Sequence, residues 1–530
     1  MVWTVFAVII YLLIIAYLGY RGWRVTATTA DYLIAGREVH PYVMATSYGA
    51  TFISTSAIIG FGGAASLFGM GILWLTWMNV FFGIFVAFVL FGKRTRRLGH
   101  VLDAHTFPEL LGRRYKSTFI QGFSGIVIFL FMPIYAAAVL IGISRFIEVY
   151  LHIPYAVVLL AFSLILAMYV ILGGLKGVMY TDAFQGTIML ITMVILLIYT
   201  YILAGGVISA HQSLTDMAYL VPEKLAKLGH RGWTEMPRLG SRYWWILIST
   251  ITCGVGIGVL AQPQLVVRFM TVKRDRELNR AVLFGSIFIL AMTGIAFTVG
   301  SLTNVIFYKA FGKISLAMAG GNIDKVIPFY IGKIMPSWFG TLFLLAMLAA
   351  SMSTLSSQYH VGGTSLGRDF FEKGIGGERI EHGERTVFVT RLGIALSILL
   401  CIIFSLIFSP NMIAVATAIF FGLCGATFLP SFVFGLYWKG MTRAGAITSI
   451  LGGFIISMTW MGFFHAKEAH VLGIAKHLFG RSTLAGFPWA VIDAQFIALP
   501  ISFILAVMVS LFTGKLADKH IQKCWKYLKA

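Results

Sequence analysis

Charged residues are scarce in this sequence. Only 12% of its 530 residues are Asp, Glu, Lys or Arg, whereas 58% are hydrophobic. A water-soluble protein of this length carries about twice that charged fraction, so the composition argues against a soluble fold. The net charge of +21 does not indicate a nucleic-acid partner, because membrane proteins place their Lys and Arg in the loops that set orientation.

Cysteines are also few, and the familiar motifs of soluble catalysis are missing. The four cysteines, at 253, 401, 424 and 524, are scattered and form neither a metal-binding spacing nor a disulfide framework. There is no Walker sequence, no GxSxG and no HExxH. The longest loops between apolar runs leave no room for a soluble catalytic domain. We therefore expect no ATP-driven transport, no enzyme activity in a soluble domain and no organic cofactor.

Long apolar runs, by contrast, are abundant. Runs of about 18 or more apolar residues predict transmembrane helices. The sequence therefore predicts an all-α, multi-pass protein of the cell membrane. The first run is not a typical secretory signal, because it is too long and lacks a basic start. The sequence predicts about thirteen spans, with approximate limits 3–20, 42–68, 71–92, 119–150, 154–174, 182–205, 243–267, 281–306, 337–360, 388–408, 411–437, 444–464 and 489–513.

The distribution of Lys and Arg predicts the orientation. Basic residues concentrate in "GKRTRRLGH", "RFMTVKRDRELNR", "GRDFFEKGIGGERIEHGER" and the C-terminal tail "GKLADKHIQKCWKYLKA". Because cytoplasmic loops carry the excess of positive charge, these segments are expected to be cytoplasmic. The N-terminus is then outside and the C-terminus is cytoplasmic, as an odd number of spans requires.

Two apolar spans are interrupted by residues that disfavour a continuous helix. They read "SYGATFISTSAIIGFGG", 47–63, and "TCGVGIGVLAQPQ", 252–264. Glycines, hydroxyls and a proline weaken the helical ladder and release backbone carbonyls. The breaks are five spans apart, as expected for two inverted repeats that each open with a broken helix. The alternative is that the glycines only permit close helix packing.

This pattern predicts three regions. Residues 1–41 form an N-terminal helix and an inner loop. Residues 42–437 form a transport core of two repeats, 42–205 and 243–437. Residues 438–530 form two C-terminal helices and a cytoplasmic tail.

Four segments carry a resemblance to a known family. "GGLKGVMYTDAFQG" (173–186), "TFPELLGRRY" (106–115), "AQPQLVVRFMTVK" (261–273) and "AASMSTLSSQ" (349–358) resemble motifs of the sodium:solute symporter family, and they occur in the family's order. The resemblance implies a leucine-transporter-type 5+5 inverted-repeat core and the coupled entry of sodium with a small solute. The predicted partners are therefore Na⁺, a small-molecule solute and the lipid bilayer, and no nucleic acid.

The resemblance also implies a sodium site. Sodium needs about five oxygens, and neutral ones suffice where carbonyl dipoles point inward. Matched residue by residue, the family's backbone carbonyls fall on Ala50, Ile53 and Ala350, and its hydroxyls fall on Ser353 and Thr354. Since the last three are spaced by three and four residues, they share one helix face.

The sequence departs from the family pattern at the solute positions. Phe52 stands where proline-transporting members carry an aspartate, and Val255 and Val259 replace a tryptophan and a tyrosine, whereas Tyr135 is kept. The pocket is therefore predicted to be aliphatic and to favour a short monocarboxylate, whose carboxylate would lie at a half-helix N-terminus. A proline-like or pantothenate-like solute is the alternative. Core packing alone also explains one or more of these residues.

The remaining polar residues also have structural interpretations. The family associates Asp182 with sodium affinity or exit, but a helix N-cap is equally compatible. Arg268 is interpreted as an interfacial anchor at the end of the seventh span. The hydroxyls of Ser351, Ser356 and Ser357 are interpreted as bonding back to their own helix or packing against neighbours.

Three classes of function remain open: a sodium-coupled symporter, a channel or non-transporting solute sensor, and an intramembrane enzyme. An enzyme needs a metal cluster or a nucleophile with a base at membrane depth, and the histidines do not group in that way. A sensor usually carries a cytoplasmic signalling domain, for which the tail is too short. The symporter is the preferred interpretation.

Overall fold

The structure, a computed structural model, describes residues 2–24, 29–375, 383–526 and 528, and in these residues it contains helices and no β-strand. Short helices in the connections are Thr29–Ile34, Glu223–Lys227, Ser315–Met318, Ala466–Leu472 and Ile474–Phe479. The main helices are α1 (Val2–Arg24), α2 (Pro41–Phe52), α3 (56–68), α4 (73–101), α5 (Phe107–Tyr115), α6 (Thr118–Leu151), α7 (Tyr155–Ala204), α8 (Val207–Asp216), α9 (Arg242–Ala261), α10 (Pro263–Phe269), α11 (Asp275–Phe311), α12 (Val326–Lys333), α13 (Ser337–Gly374), α14 (Gly383–Ile407), α15 (Ile413–Tyr437), α16 (Arg443–Phe464), α17 (Ala494–Phe512) and α18 (Asp518–Trp525).

The all-α membrane fold is confirmed, but the number of spans is not. Within the described residues, eleven helices are long and apolar enough to cross a membrane. One of these, Ser56–Val101, joins two predicted spans. Gly69 separates α3 from α4 with a φ of 66°, and a Cβ there would lie 2.0 Å from the Trp233 carbonyl oxygen. The helix α7 likewise joins two predicted spans. Thirteen spans therefore stay a prediction.

Both predicted helix breaks are present. The helix α2 ends where Ile53 adopts φ −91° and ψ 101°, and helical structure resumes after Ser54. Hydroxyl-bearing and β-branched residues crowd this point and compete with the helical ladder. The second break is at Gln262, with φ −71° and ψ 116°. Its cause is Pro263, because a proline disfavours helical geometry in the residue before it.

The two broken helices meet in the interior of the protein. The helix α2 packs against α7, α11 and α13, and α10 packs against both α2 and α13. The helix α15 packs against α3, α6 and α9, while α16 and α17 pack against each other and against α15. This arrangement brings α13, which carries the hydroxyl-rich segment, beside the first break. The division into two repeats is consistent with these breaks and stays a prediction.

Candidate functional site

The hydroxyls of α13 lie directly against the end of α2. Ser353 Oγ donates a hydrogen bond to the Ala50 carbonyl oxygen at 2.9 Å. Thr354 Oγ1 lies 3.4 Å from the same oxygen and donates to the Thr51 carbonyl at 3.1 Å. All four residues are fully buried. The structure therefore brings together residues that are about 300 positions apart in the chain.

The other two predicted sodium ligands flank this contact. The Ala350 carbonyl accepts a hydrogen bond from Ser353 Oγ at 3.3 Å, so it lies on the same face of α13. The backbone of Ile53 turns away from helical geometry at the break, and its carbonyl is thereby released from the α2 ladder. Carbonyl and hydroxyl oxygens of this kind suit a small hard cation such as sodium.

The neighbouring hydroxyls of α13 divide into two groups. Ser351 donates to the Met347 carbonyl at 2.8 Å and Ser356 donates to the Ser353 carbonyl at 3.2 Å, as the back-bonding interpretation predicts. For Ser357 that interpretation is wrong. Its hydroxyl lies 3.2 Å from Thr51 Oγ1 and accepts a hydrogen bond from Arg268 at 2.7 Å.

A buried ion pair contacts the hydroxyls of Ser357 and Thr51. Arg268 Nη2 is 3.1 Å from Asp182 Oδ2, and neither side chain is exposed. The same Nη2 donates to Thr51 Oγ1 at 2.6 Å, and Nε donates to Ser47 Oγ at 3.0 Å. Ser47 in turn donates to Asp182 at 2.6 Å. Four helices, α2, α7, α10 and α13, therefore meet at one guanidinium.

Two interpretations made from sequence are corrected here. Arg268 is not an interfacial anchor, because it is fully buried in the bundle. Asp182 is not an N-cap, because α7 runs without interruption from Tyr155 to Ala204. One signal pointed to this pair: ionisable residues within membrane segments usually face the bundle interior and pair with one another.

Two of the predicted solute residues, Phe52 and Tyr135, contact Phe421 of α15, a residue that sequence reasoning missed. The Phe421 ring is stacked on Phe52 with centroids 6.4 Å apart, and it meets Tyr135 edge-on at 5.2 Å. A Cβ on Gly83 would lie 3.2 Å from the Phe52 ring and 3.6 Å from Val259, so these two side chains meet at that glycine.

Val255 lies four residues, about one helical turn, before Val259. All four predicted solute residues, Phe52, Tyr135, Val255 and Val259, are buried. Phe52 of this apolar, aromatic cluster directly precedes Ile53, so the predicted sodium ligands at the first break and the cluster lie close together in space.

Comparison with known proteins agrees with this geometry. The sodium:solute symporter family matches residues 32–453. Sodium/proline symporters of Staphylococcus aureus, for example those of strains JH9 and JH1, are 28% identical over 527 residues, which is 97% of this chain and 93% of theirs.

Two solved structures share the fold. A Na⁺-coupled sialic acid symporter in a substrate-bound, outward-open state superimposes with a TM-score of 0.75 at 17% identity, covering 97% of this chain and 99% of the other. Mhp1, a nucleobase-cation-symport-1 family transporter with bromovinylhydantoin bound, gives 0.51 at 12% identity, covering 94% and 98%. Since the family match spans most of the chain, the protein is a Na⁺-coupled, multi-pass membrane transporter rather than an enzyme, and it belongs to the sodium:solute symporter family.

Proposed function

We propose that this symporter imports a short monocarboxylate together with sodium. The observation that carries the proposal is an apolar cluster in which Phe52 and Tyr135 contact Phe421, and Phe52 meets Val259 at Gly83. None of these side chains carries a charge, and most of their surface is hydrocarbon. A short alkyl chain suits such a cluster, whereas a sugar would need a set of amide and carboxylate partners.

The carboxylate of the solute is assigned to the first break. Helical structure resumes after Ser54, and the first N–H groups of a helix have no partner within that helix. They form a partial positive charge that favours an anion. The hydroxyls of Ser54 and Ser56 lie 2.7 Å apart at this end, and Tyr135 is their neighbour. A carboxylate here would lie close to the proposed sodium ligands.

We assign the coupling ion to Ala50, Ile53, Ala350, Ser353 and Thr354. The direct contacts of Ser353 and Thr354 with the end of α2 support this assignment. Asp182 is assigned to the exit path of the ion. Its Oδ1 is buried and has no hydrogen-bond partner within the described residues. This oxygen is therefore available to coordinate the sodium ion as it leaves. The N-terminus is placed outside and the C-terminus in the cytoplasm.

Proline is the second candidate solute. The observation in its favour is the 28% identity to sodium/proline symporters over nearly the whole chain. Proline shares a carboxylate and an apolar ring with the first candidate. However, its ammonium group requires an acceptor, and the position that is aspartate in proline-transporting members is Phe52 here.

Competition for uptake distinguishes these solutes. In proteoliposomes with an inward sodium gradient, we expect unlabelled acetate, lactate and pyruvate to inhibit uptake of labelled lactate. Proline and pantothenate should inhibit it weakly, because the apolar cluster offers no partner for an ammonium or for several hydroxyls. Labelled proline is measured in parallel. Sodium-dependent uptake of proline but not of lactate would overturn the monocarboxylate proposal and support the second candidate.

Changing the shape of the pocket should alter the order of preference among solutes. Phe52→Ala removes one ring of the stacked pair and should favour longer carboxylates, and Val259→Tyr fills space and should favour shorter ones. The half-saturating sodium concentration should change less than the preference does. The measurement is competition by carboxylates of increasing chain length.

The matched control is Phe146→Ala, which removes an equally buried ring that packs against Phe343, away from this cluster. It should lower stability without changing the order of preference. If Phe52→Ala and Val259→Tyr keep the parent's order, these residues pack the core and do not line the pocket.

A further inference from the structure

A cavity of about 710 Å³ lies outside the transport site, on the face that carries the C-terminal helix α18. It is open to solvent on one side and bordered by α5, the start of α6, the end of α13 and α18. Its polar lining includes Arg113, Lys116, Gln121, Lys373, His520 and Lys523. Membrane orientation accounts for basic residues in the C-terminal tail, but it does not require that they meet around a cavity.

The carboxylate in the lining, Glu109, is already satisfied. It is fully buried and lies 2.6 Å from Arg113 Nη2 and 3.0 Å from Arg368 Nη2. It also accepts a hydrogen bond from the His105 backbone N–H at 2.8 Å. Burial by itself raises the pKa of Glu109, but its hydrogen bonding with His105 and the charges of Arg368 and Arg113 bring it well below the usual value. Glu109 therefore does not neutralise the other cations.

Two lysines in the lining have no ion-pair partner in the described part of the chain: Lys116 and Lys523. Lys116 ends α5 in a left-handed conformation, with φ 49°. Lys523 is on α18, which His520 joins to α5 through a hydrogen bond with the Arg114 carbonyl at 3.0 Å. Burial lowers the pKa of His520, and the charges of Lys116, Arg114 and Lys523 lower it further. Several positive charges thus act at one place.

The start of α6 adds to this positive potential. Ser117 and Thr118 both line the cavity, and Ser117 caps the helix by accepting a hydrogen bond from the Ile120 N–H at 3.2 Å. The N-terminus of this 34-residue helix carries a partial positive charge. Phe119, the next residue, is 48% exposed. Because α6 is long and apolar enough to span the bilayer, its first turn lies near the level of lipid headgroups.

We propose that this cavity binds a phosphate-bearing anion between Lys116 and Lys523. The unpaired lysines, the satisfied carboxylate and the helix N-terminus all favour a ligand with more than one negative oxygen. Such a ligand has two sources, the headgroup of an anionic lipid and a soluble phosphate compound. In both cases the bound anion connects α18 to α5, to the start of α6 and to the end of α13.

The test uses the full-length protein in phosphatidylcholine nanodiscs. One arm adds phosphatidylglycerol to the bilayer, and the other adds soluble inorganic pyrophosphate. Each ligand is titrated while the unfolding temperature is recorded, since a ligand that binds only the folded state raises it. The double variant Lys116→Gln/Lys523→Gln should require a roughly thirtyfold higher ligand concentration for the same effect. The parent's response should also weaken with added salt.

The matched control is Lys439→Gln/Lys515→Gln, which removes two exposed lysines outside the cavity lining. It should respond like the parent, although its net charge equals that of the first variant. A response to phosphatidylglycerol assigns the site to a lipid, and a response to pyrophosphate assigns it to a soluble anion. If the parent responds to neither, or if the cavity variant responds like the parent, the proposal is overturned. If the cavity variant does not fold, the parent's salt dependence is used instead. A parent response that does not weaken with added salt then overturns the proposal.

Discussion

Removing the hydroxyl of Ser353 or of Thr354 should raise the half-saturating sodium concentration of uptake roughly ten- to hundredfold. Each hydroxyl contacts the end of α2, at 2.9 Å for Ser353 and 3.1 Å for Thr354. Its loss leaves the ion short of one oxygen in a buried site, which costs on the order of 1–3 kcal/mol. The measurement is initial uptake rate against sodium concentration for Ser353→Ala and Thr354→Ala.

Two neighbouring serines supply the controls for this experiment. The hydroxyls of Ser351 and Ser356 bond back to α13 itself, so Ser351→Ala and Ser356→Ala should keep the parent's sodium dependence. Ser357→Ala is not a control, because that hydroxyl accepts a hydrogen bond from Arg268. Variants are compared at equal amounts in the membrane. Unchanged sodium dependence in both Ser353→Ala and Thr354→Ala would place the ion elsewhere.

The substitution Arg268→Met should destabilise the protein by about 3–5 kcal/mol, because it leaves the Asp182 carboxylate buried without its counter-charge. It also removes donors to Ser47, Thr51 and Ser357. We expect a large fall in the unfolding temperature of the purified protein and loss of uptake. The measurement is thermal unfolding in detergent, alongside uptake in proteoliposomes.

A double variant separates the charge from the packing. Asp182→Asn added to Arg268→Met removes the unpaired charge, so the double variant should be more stable than Arg268→Met alone. The matched control is Arg145→Met, which breaks the partly exposed pair with Glu148 at 2.8 Å. That pair is worth about 0–1 kcal/mol, so its loss should have little effect. Equal stability of Arg268→Met and the double variant would show that packing, not charge, accounts for the loss.

Local sequence chemistry was sufficient to place the helix breaks. Pro263 restricts the residue before it, and the hydroxyls around Ile53 compete with the helical ladder, so both interruptions were visible without any structure. The number of membrane spans was harder to predict from the sequence. Whether α3 and α4 are separate depends on the single left-handed residue Gly69, and the continuity of α7 depends on packing rather than on composition.

The candidate site was predictable only where a family motif marked it. Ser353 and Thr354 were assigned to the sodium site through the motif, and that assignment stays a prediction, although the structure shows their contacts with α2. Arg268 and Ser357 were misinterpreted, since the pattern of one segment does not show which distant carboxylate or hydroxyl it meets. Phe421 was missed for the same reason, because an apolar residue in an apolar helix carries no local signal.

The proposed transport site carries no net charge, and this has an electrical consequence. The proposed sodium ligands are carbonyls and hydroxyls, and the charge of Asp182 is balanced by Arg268. One sodium ion with one monocarboxylate is then a neutral cargo, so membrane voltage neither drives nor opposes the loaded step. Proline is zwitterionic, and the same site carrying it would move one positive charge, worth about 2.3 kcal/mol per 100 mV. If the proposed site carries one sodium ion with each solute, the charge of the solute decides whether transport generates a current.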